Sequence, residues 1–377
     1  MNASARPPAT SGPAPIDPAL IRRAEIRLAS RSVARDLPFF TKALGFRLEE
    51  IFPADAPATI VLSGHGLRLR VEEGTDAPAG ALRLLAEGGA AGGALTSPGG
   101  IAIEIVPAEP ALSVPPTRHA FAVRRLADGA PWVIGRAGMH YRDLVPDRLG
   151  GSIIASHIRI PDGGPVPDMV HYHRVGFQLI YCYRGWVDVV YEDQGEPIRL
   201  TAGDCVTQPP GIRHRVLEAS DEVEVVEIGV PAEHVTAIDH EMTLPTGRRL
   251  PEREYGGQAF VHHVAARAGW MPWRLPGFEH RETGVAAGTR GMAGVHVARP
   301  LPGAAPAAMA HHDADILFAF VLEGGVTLEA EDGARHALAA GDAFTIPPGL
   351  ATRLADPSAD LEILEVSLPG RFRTVPA

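Results

Sequence analysis

The chain has 377 residues, more than a single hydrophobic core usually organises, so two or three domains are expected. Its formal net charge of −10 argues against nucleic-acid phosphates or an anionic membrane surface as partners. With 41 Gly and 35 Pro, the composition favours short strands separated by turns, and no apolar run approaches the ~20 residues of a membrane-spanning helix.

The first segment, residues 1–18, is rich in Ala, Pro and Ser and is predicted to be a disordered tail. No signal peptide is recognised in it. Cys182 and Cys205 are the two cysteines, and so few in a chain of this length indicate reduced thiols rather than a disulfide framework. Together these features predict a cytoplasmic protein.

Residues 19–108 are predicted to form a small α+β domain. A strand at Glu25 is followed by Ser32, a good helix N-cap, and by apolar residues at helical spacing that end at Gly45. Three strand-like runs come next: Phe46–Phe52, Thr59–Leu62 and Leu67–Val71. This βαβββ order resembles one module of the glyoxalase/dioxygenase (vicinal oxygen chelate) superfamily, and the resemblance is carried by Asp36, Phe39, Phe40 and Leu44-Gly45-Phe46. Enzymes of that superfamily normally need two modules to build a site, so the single clear module implies a scaffold or dimerisation role.

A proline-containing linker at 108–118 precedes a stretch whose histidines can meet. His171 and His173 lie two positions apart on a predicted strand, so their side chains point to the same face. The tight turn of Pro209-Pro210-Gly211 would return the chain so that His214 reaches them. Because imidazole is the commonest protein ligand for Fe, Ni, Zn and Cu, the three histidines predict a metal site.

These histidines stand in two motifs that resemble the signature motifs of the cupin superfamily. The first is carried by Gly164, His171, His173, Gln178 and Gly185, and the second by Gly203-x5-Pro209-x-Gly211-x2-His214. The chain departs from the family pattern in two places. The gap from Gly164 to His171 is one residue longer than usual, and Gln178 stands where a metal-binding Glu is usual. The resemblance implies a β-barrel that holds one divalent transition metal.

An internal repeat extends the resemblance to the rest of the chain. At an offset of 139, Arg142, His157, Pro161, His173 and Gly185 recur as Arg281, His296, Pro300, His312 and Gly324. The predicted fold is therefore mainly β: two tandem cupin (double-stranded β-helix or jelly-roll) barrels, at 119–245 and 246–377, after the small α+β domain. In the second barrel Ala310, Leu317 and Thr352 stand in place of His171, Gln178 and His214. Only the first barrel is expected to hold a catalytic metal, because at least three protein ligands are the norm.

The first barrel supplies the predicted site residues. His171, His173 and His214 are the metal ligands, and Gln178 either binds weakly through its amide oxygen or hydrogen-bonds to substrate. His157 and Arg159 share one face of the preceding strand and would anchor substrate if that face is the inner one. A solvated outer face is the alternative. Three neutral imidazoles leave the +2 charge of the metal uncompensated, which favours an anionic, chelating substrate.

Two classes of function compete, and a third stays open. The resemblance to three-His cupins implies a non-haem dioxygenase that uses Fe(II) and O₂ on an aromatic diol, an aromatic acid or a diketone. Gln178 instead favours a non-redox isomerase or lyase on a uronate or related sugar acid, because a small cupin family of that kind uses His, His, Gln and His around its metal. A metal-binding sensor without turnover is the third. The ligands also suit Mn, Ni, Cu or Zn, and both resemblances imply a homo-oligomer, commonly a homodimer.

Overall fold

The structure is a computed structural model that describes residues 17–43, 45–74, 82–87, 93–96, 102–303 and 307–377. The chain divides into two units: Met1–Ile51 with Pro57–Ala111, and Phe52–Ala56 with Leu112–Ala377. The predicted disordered tail at 1–18 lies almost entirely outside the described residues, and so does Leu44 of the glyoxalase-like motif. Among the residues described, no helix combines the length and the apolar composition that crossing a bilayer requires.

The first unit has the predicted order of strand, helix and three strands, followed by three further strands. Its elements are β1 (Ile21–Ser30), α1 (Val33–Pro38), β2 (Arg47–Phe52), β3 (Thr59–Gly64), β4 (Leu67–Glu73), β5 (Leu82–Ala86), β6 (Gly93–Thr96) and β7 (Ala102–Pro107). Strand β1 pairs in parallel with β4 and antiparallel with β5. Ser32 occupies the predicted N-cap position of α1, but its side chain makes no capping hydrogen bond. The core of this unit is formed by Val33 of the helix packed on apolar strand residues such as Ile60 and Leu62.

The second unit contains both sequence repeats, built from short strands and single helical turns. The first repeat comprises β8 (Ala122–Arg124), β9 (Val133–Ile134), β10 (His140–Asp143), α2 (Arg148–Gly151), β11 (Ile154–Ile160), β12 (Gly164–Pro165), β13 (His171–Arg174), β14 (Phe177–Arg184), β15 (Trp186–Tyr191), β16 (Ile198–Thr201), β17 (Cys205–Thr207), β18 (His214–Ala219), β19 (Val223–Val230) and β20 (Val235–Ile238). A small hairpin of β21 (Glu254–Tyr255) and β22 (Gln258–Ala259) leads out of it.

The second repeat has the same succession of elements, except that none of its described strands corresponds to β12. It comprises β23 (His262–His263), β24 (Trp270–Pro272), β25 (Phe278–Glu282), α3 (Val285–Gly288), β26 (Gly294–Pro300), β27 (Ala310–His312), β28 (Ile316–Glu323), β29 (Gly325–Ala330), β30 (Arg335–Ala339), β31 (Ala343–Thr345), β32 (Thr352–Ala355), β33 (Glu362–Leu368) and β34 (Thr374–Pro376).

Each repeat forms two sheets, and the strand orders of the two repeats correspond. The first has the orders β23-β17-β14-β19-β11-β10-β9 and β16-β15-β18-β13-β20, with β12 beside β18. The second has β8-β31-β28-β33-β26-β25-β24 and β30-β29-β32-β27-β34. The central strands of both barrels pair antiparallel, β14 with β19 in the first and β28 with β33 in the second. The predicted mainly β fold with two tandem barrels is confirmed.

The two barrels exchange their first strands. Strand β8 begins the first repeat but pairs with β31 of the second barrel, and β23 begins the second repeat but pairs with β17 of the first. The predicted division at 245/246 therefore does not separate the hydrogen-bonded sheets.

Alternation along β14 separates the interior of the first barrel from the contact between the barrels. The odd-numbered residues from Phe177 to Tyr183 pack in one apolar cluster with Phe318 of the second barrel. The even-numbered residues from Gln178 to Cys182 point the opposite way, because side chains on a strand alternate between its faces. The face that carries Gln178 is thus the interior face of the first barrel.

Two matches of the sequence repeat, His157 with His296 and Pro161 with Pro300, are out of register by a single residue. His157 lies opposite Val226 in the first barrel, and Val297 lies opposite Leu364 in the second. Because Val226 and Leu364 are equivalent positions in β19 and β33, the structural counterpart of His157 is Val297. The predicted equivalence of His157 and His296 is wrong, and His296 lies on the other face of its strand. The cause is a connection between β25 and β26 that is one residue longer than that between β10 and β11.

Candidate metal centre

Three histidines of the first barrel converge from two neighbouring strands. His171 and His173 lie on β13, and His214 opens β18 directly opposite His171. One nitrogen from each ring lies within 4.8 Å of the others, and the residues are only 1%, 7% and 3% exposed. The structure therefore brings together the three histidines that the sequence predicts.

The predicted turn after β17 holds His214 in place. The N–H of Ile212 donates to the carbonyl of Pro209 at 3.1 Å, and Gly211 has φ of 81°, in the left-handed region that glycine enters most easily. The N–H of Gly211 also donates to the carbonyl of His173 at 3.0 Å, which ties the turn to β13. The motif residues thus fix the distance between the two strands that carry the histidines.

Each histidine has its Nδ1 atom tied to a neighbouring group. In His171 and His214, Nδ1 donates to the backbone carbonyl two residues earlier, at 2.7 and 3.0 Å. In His173, Nδ1 lies 3.0 Å from the hydroxyl oxygen of Thr236. These contacts leave Nε2 of each ring as the atom directed at the shared space, and in His171 and His214 it is the ring nitrogen that carries the lone pair. Such outer partners orient imidazole for metal binding.

The three imidazoles are neutral near pH 7. Burial lowers the pKa of His171 and of His173 well below the usual value, and the neighbouring positive groups add to that effect. Burial also lowers the pKa of His214 to about 3, against the opposing hydrogen bond to its backbone partner. A neutral imidazole with a fixed tautomer is the form that binds a divalent metal, so the residues present fit the metal that the motif implies.

A guanidinium contacts the metal-facing atom of one histidine. The Nη2 atom of Arg136 lies 3.0 Å from Nε2 of His171, and the same guanidinium forms an ion pair with buried Asp168. Asp168 also accepts the backbone N–H groups of Met169 and Val216, each at 2.9 Å. Burial alone would lower the pKa of Arg136, but the carboxylate of Asp168 outweighs it and raises the pKa. The interior therefore contains a permanent positive charge beside the triad.

Gln178 lies in this interior and is fully buried. Its amide nitrogen donates to Oε1 of Glu227 at 2.5 Å, and its amide oxygen has no hydrogen-bond partner among the described residues. Burial raises the pKa of Glu227, although the hydrogen bond from Gln178 and the charge of Arg136 oppose this. The amide oxygen is thus the atom of Gln178 that remains available to a metal or a substrate.

A cavity of about 50 Å³ opens beside the triad. It is lined by His173, Arg136, Tyr141 and Glu227 and is covered by the segment 53–55 of the same unit. This volume holds a few water molecules or the head of a small ligand. The lining combines a positive guanidinium with a carboxyl group whose proton affinity is raised.

His157 and Arg159 are not part of this interior, so their prediction as substrate anchors is corrected. They lie on the face of β11 opposite to the cavity. His157 is buried at the contact between the barrels, with Nε2 2.5 Å from Glu224, Nδ1 3.0 Å from Arg142 and its ring against Phe320. Arg159 donates to the same Glu224 at 2.9 Å. The alternative, a solvated face, is also wrong for His157, because the second barrel covers it.

Residues that complete the site were not identified from the sequence. They are Arg136, Asp168, Glu227 and His234, whose ring lies 5.4 Å from that of His173. A repeat search at an offset of 138 would have flagged two of them, because Arg136 recurs as Arg274 and Glu227 as Glu365.

The second barrel lacks the triad, as predicted. Ala310 and Thr352 face each other where His171 and His214 do in the first barrel. The remaining His312 uses both ring nitrogens within the fold: Nε2 lies 3.1 Å from the carbonyl of Ile346, and Nδ1 is 3.2 Å from the N–H of Ala314. Its imidazole is a structural link between backbone segments.

An ion pair stands in the interior of the second barrel. Arg274 donates to Glu365 through Nε at 2.9 Å and through a terminal nitrogen. The guanidinium also lies 4.7 Å from the ring of Trp273 and 5.5 Å from that of Phe372. Leu317 occupies the position of Gln178, so the surroundings of this pair are mainly apolar.

Comparison with known proteins agrees with this description. Residues 156–229 and 297–367 each match the family model of the cupin domain, and one match falls in each repeat. A search of curated proteins finds no match. The cupin matches do not include the first unit, for which the glyoxalase-like resemblance remains an expectation.

Solved structures share the fold of the tandem barrels. Salicylate 1,2-dioxygenase from Pseudaminobacter salicylatoxidans is 15% identical, with a TM-score of 0.52 over 70% of this chain and 90% of the dioxygenase. A mutant of oxalate decarboxylase from Bacillus subtilis is 12% identical, with a TM-score of 0.50 over 70% of this chain and 81% of the other. Oxalate decarboxylase from Lactobacillus farciminis, in a formate complex, is 12% identical, with a TM-score of 0.50 over 70% and 91%. At these identities the likeness establishes the bicupin fold alone.

Proposed function

We propose that the chain is a metal-dependent dioxygenase that acts on a small anionic, chelating substrate such as an aromatic acid, an aromatic diol or a diketone. The observation that carries the proposal is the set of three neutral imidazoles with a permanently charged guanidinium in contact with one of them. Such a set leaves a divalent metal positively charged, because the imidazoles are neutral and the guanidinium is balanced by Asp168, so the interior favours a negatively charged ligand.

The three histidines would hold the metal, and the fold prepares them for this role. His171, His173 and His214 would bind through Nε2, because Nδ1 of each ring is engaged with a neighbouring group. When bound there, Fe(II) would supply a Lewis acid for a chelating substrate and a redox centre for O₂. Gln178 would place its unpartnered amide oxygen against a hydroxyl of the substrate or serve as a weak fourth ligand.

Arg136 would anchor the substrate's anionic group. Its guanidinium is held by Asp168, and the N–H group that contacts Nε2 of His171 would turn to a substrate carboxylate when a metal occupies that nitrogen. Tyr141 and the segment 53–55 cover the cavity beside it and would reduce access of water. Binding and orientation are therefore assigned to residues outside the two sequence motifs.

A second candidate, a non-redox isomerase or lyase acting on a uronate or related acid, is favoured by Glu227. This carboxyl group lines the cavity and has a raised pKa because it is buried. A carboxyl that holds its proton to higher pH can transfer it to or from a substrate, which is the chemistry of isomerases and lyases. Gln178 would orient this group through its 2.5 Å hydrogen bond.

The decisive experiment measures O₂ consumption by the iron-loaded protein with aromatic acids and diols, β-diketones and uronates. Stoichiometric uptake of O₂ with one of the first two substrate groups supports the dioxygenase. Product formation under anaerobic conditions overturns it in favour of the isomerase or lyase. The His312→Ala variant should retain whichever activity is found, whereas His173→Ala should lose it.

The first unit would act as a scaffold or a dimerisation element, as its single glyoxalase-like module implies. Light scattering on the full chain and on a chain that begins at the linker tests this assignment. A dimer that becomes monomeric on removal of the first unit supports it, and an unchanged oligomeric state contradicts it.

A further inference from the structure

The second barrel carries a separate cluster of potential ligands at the edge of one sheet. His280 and Glu282 lie two positions apart on β25 and so share a face, and His296 on β26 lies directly opposite Glu282. One ligand atom from each of the three residues lies within 4.8 Å of the others. All three are at least partly accessible, so a dissolved ion can reach them.

The contacts of these side chains leave ligand capacity unused. Nε2 of His296 is 2.9 Å from Oε2 of Glu282, and the rings of His280 and His296 lie 4.7 Å apart at 79°. The other oxygen of Glu282 accepts the N–H of Gly284 at 3.0 Å, which orients the carboxylate. Nδ1 of His280 is buried, and no described group meets it with hydrogen-bonding geometry.

We propose that His280, Glu282 and His296 form a second metal site, which takes a divalent transition metal such as Zn²⁺, Co²⁺ or Ni²⁺. Two imidazoles and one carboxylate are a donor set that these metals accept, with the remaining positions filled by water. Adjacent antiparallel strands hold the three residues, so little ordering is needed on binding.

This site differs in position from the triad of the first barrel. Its strands correspond to β10 and β11, where Tyr141, Asp143 and Ser156 occupy the equivalent places and offer no imidazole. The second barrel has thus lost the interior triad but gained histidines on a different pair of strands. The proposal does not depend on the reaction assigned to the first barrel.

The test is a Co²⁺ titration of metal-free, full-length protein, followed by equilibrium dialysis and by the visible absorption of the bound ion. The starting variant is His171→Ala/His173→Ala, which disables the triad and should still bind one Co²⁺ per chain. Adding His280→Ala/His296→Ala should remove that ion, whereas adding His262→Ala, an exposed histidine on β23, should not.

A starting variant that binds no Co²⁺, or a fourfold variant that still binds one, would overturn the proposal. Circular dichroism and thermal unfolding check that each variant is folded. Glu282→Gln keeps the shape of the side chain and removes its charge, so it should weaken the remaining site at least about tenfold without loss of fold. An unchanged affinity in Glu282→Gln would also contradict the proposed donor set.

Discussion

The interiors of the two barrels are built from corresponding strands but differ in how their charged side chains pair. Each has an arginine two residues after the edge strand of its sheet, β9 or β24, and a glutamate on the central strand: Arg136 with Glu227, and Arg274 with Glu365. In the second barrel these two groups pair directly. In the first barrel Arg136 pairs with Asp168 instead, and Glu227 accepts a hydrogen bond from Gln178.

This difference shows how one fold can serve two purposes. Direct pairing of Arg274 with Glu365, under aromatic rings, neutralises both charges inside the second barrel. In the first barrel Asp168 pairs with Arg136 beside His171, so Glu227 faces the cavity with a hydrogen bond from Gln178 in place of a pairing with the arginine. Asp168 is therefore the residue that distinguishes the two interiors. The second barrel has a stabilising Arg274–Glu365 ion pair, whereas the first keeps a site that can bind an anion.

The largest effect is expected from the matched pair His173→Ala and His312→Ala. His173→Ala should weaken metal binding in the first barrel by at least about a hundredfold and abolish activity, because three ligands become two. His312→Ala should leave both unchanged and lower the free energy of unfolding by about 1–3 kcal/mol, since two backbone groups lose their partner. Metal analysis after dialysis and urea unfolding measure these outcomes. Equal metal losses in the two variants would show that the assignment of the active barrel is wrong.

The arginines offer a second matched pair. Arg274→Met should lower the free energy of unfolding by about 3 kcal/mol, because it leaves the buried carboxylate of Glu365 uncompensated. Arg136→Met should destabilise the protein comparably and, in addition, raise KM for the anionic substrate about tenfold or more. Urea unfolding and steady-state kinetics separate the two effects. If Arg274→Met raised KM as much as Arg136→Met, the comparison between the barrels would fail.

Gln178→Glu tests the charge balance of the first interior. The variant would place a second carboxylate against Glu227. Two like charges ~4 Å apart repel by ~4 kcal/mol at an effective dielectric of about 20, which is an upper limit for this repulsion. The variant should keep its metal and bind an anionic substrate about tenfold more weakly. Gln178→Ala should lose metal affinity modestly with little change in substrate affinity, and Leu317→Gln in the second barrel should change neither. Titration calorimetry with substrate decides, and unchanged affinity in Gln178→Glu would defeat the charge argument.

The smallest expected effect is the pH dependence of stability that Glu224 produces at the contact between the barrels. Burial would raise the pKa of Glu224, but hydrogen bonds from His157 and Arg159 outweigh it and lower the pKa to about 2, from a usual value of 4.5. A depressed folded-state pKa gives stability that is present above pH 4.5 and lost as the pH falls from 4.5 to 2. Glu224→Gln should therefore cost about 1–2 kcal/mol at neutral pH, with solvent screening allowed for. The stability curves of the two proteins should converge near pH 2, and a constant difference over this range would refute the assignment.

The fold and the triad were predictable because short-range rules determine them. Side chains two positions apart on a strand share a face, and the turn at Pro209 sets the distance to His214. The repeat also led correctly to two barrels, although a connection one residue longer in the second repeat misaligned His157 with His296.

Other parts of the site depend on long-range register, which no local pattern reveals. Gln178 and Glu227 meet only because β14 pairs with β19, 49 residues later in the chain. Arg136 comes from an irregular turn between β9 and β10, where no periodicity marks it. Strand β11 carries polar side chains on both faces, Ser156 on one and His157 on the other, so alternation could not show which face is inside.

The hydrogen bonds at Nδ1 of the three histidines differ in how easily a mutation can remove them. In His171 and His214, Nδ1 is held by the main-chain carbonyls of Met169 and Ile212, which every amino acid supplies. Substitutions at those two positions can alter packing but cannot delete the acceptor. Among the Nδ1 hydrogen bonds that the structure describes for the triad, the one from Thr236 comes from a side chain, so a single codon change can remove it while all three ligands stay in place.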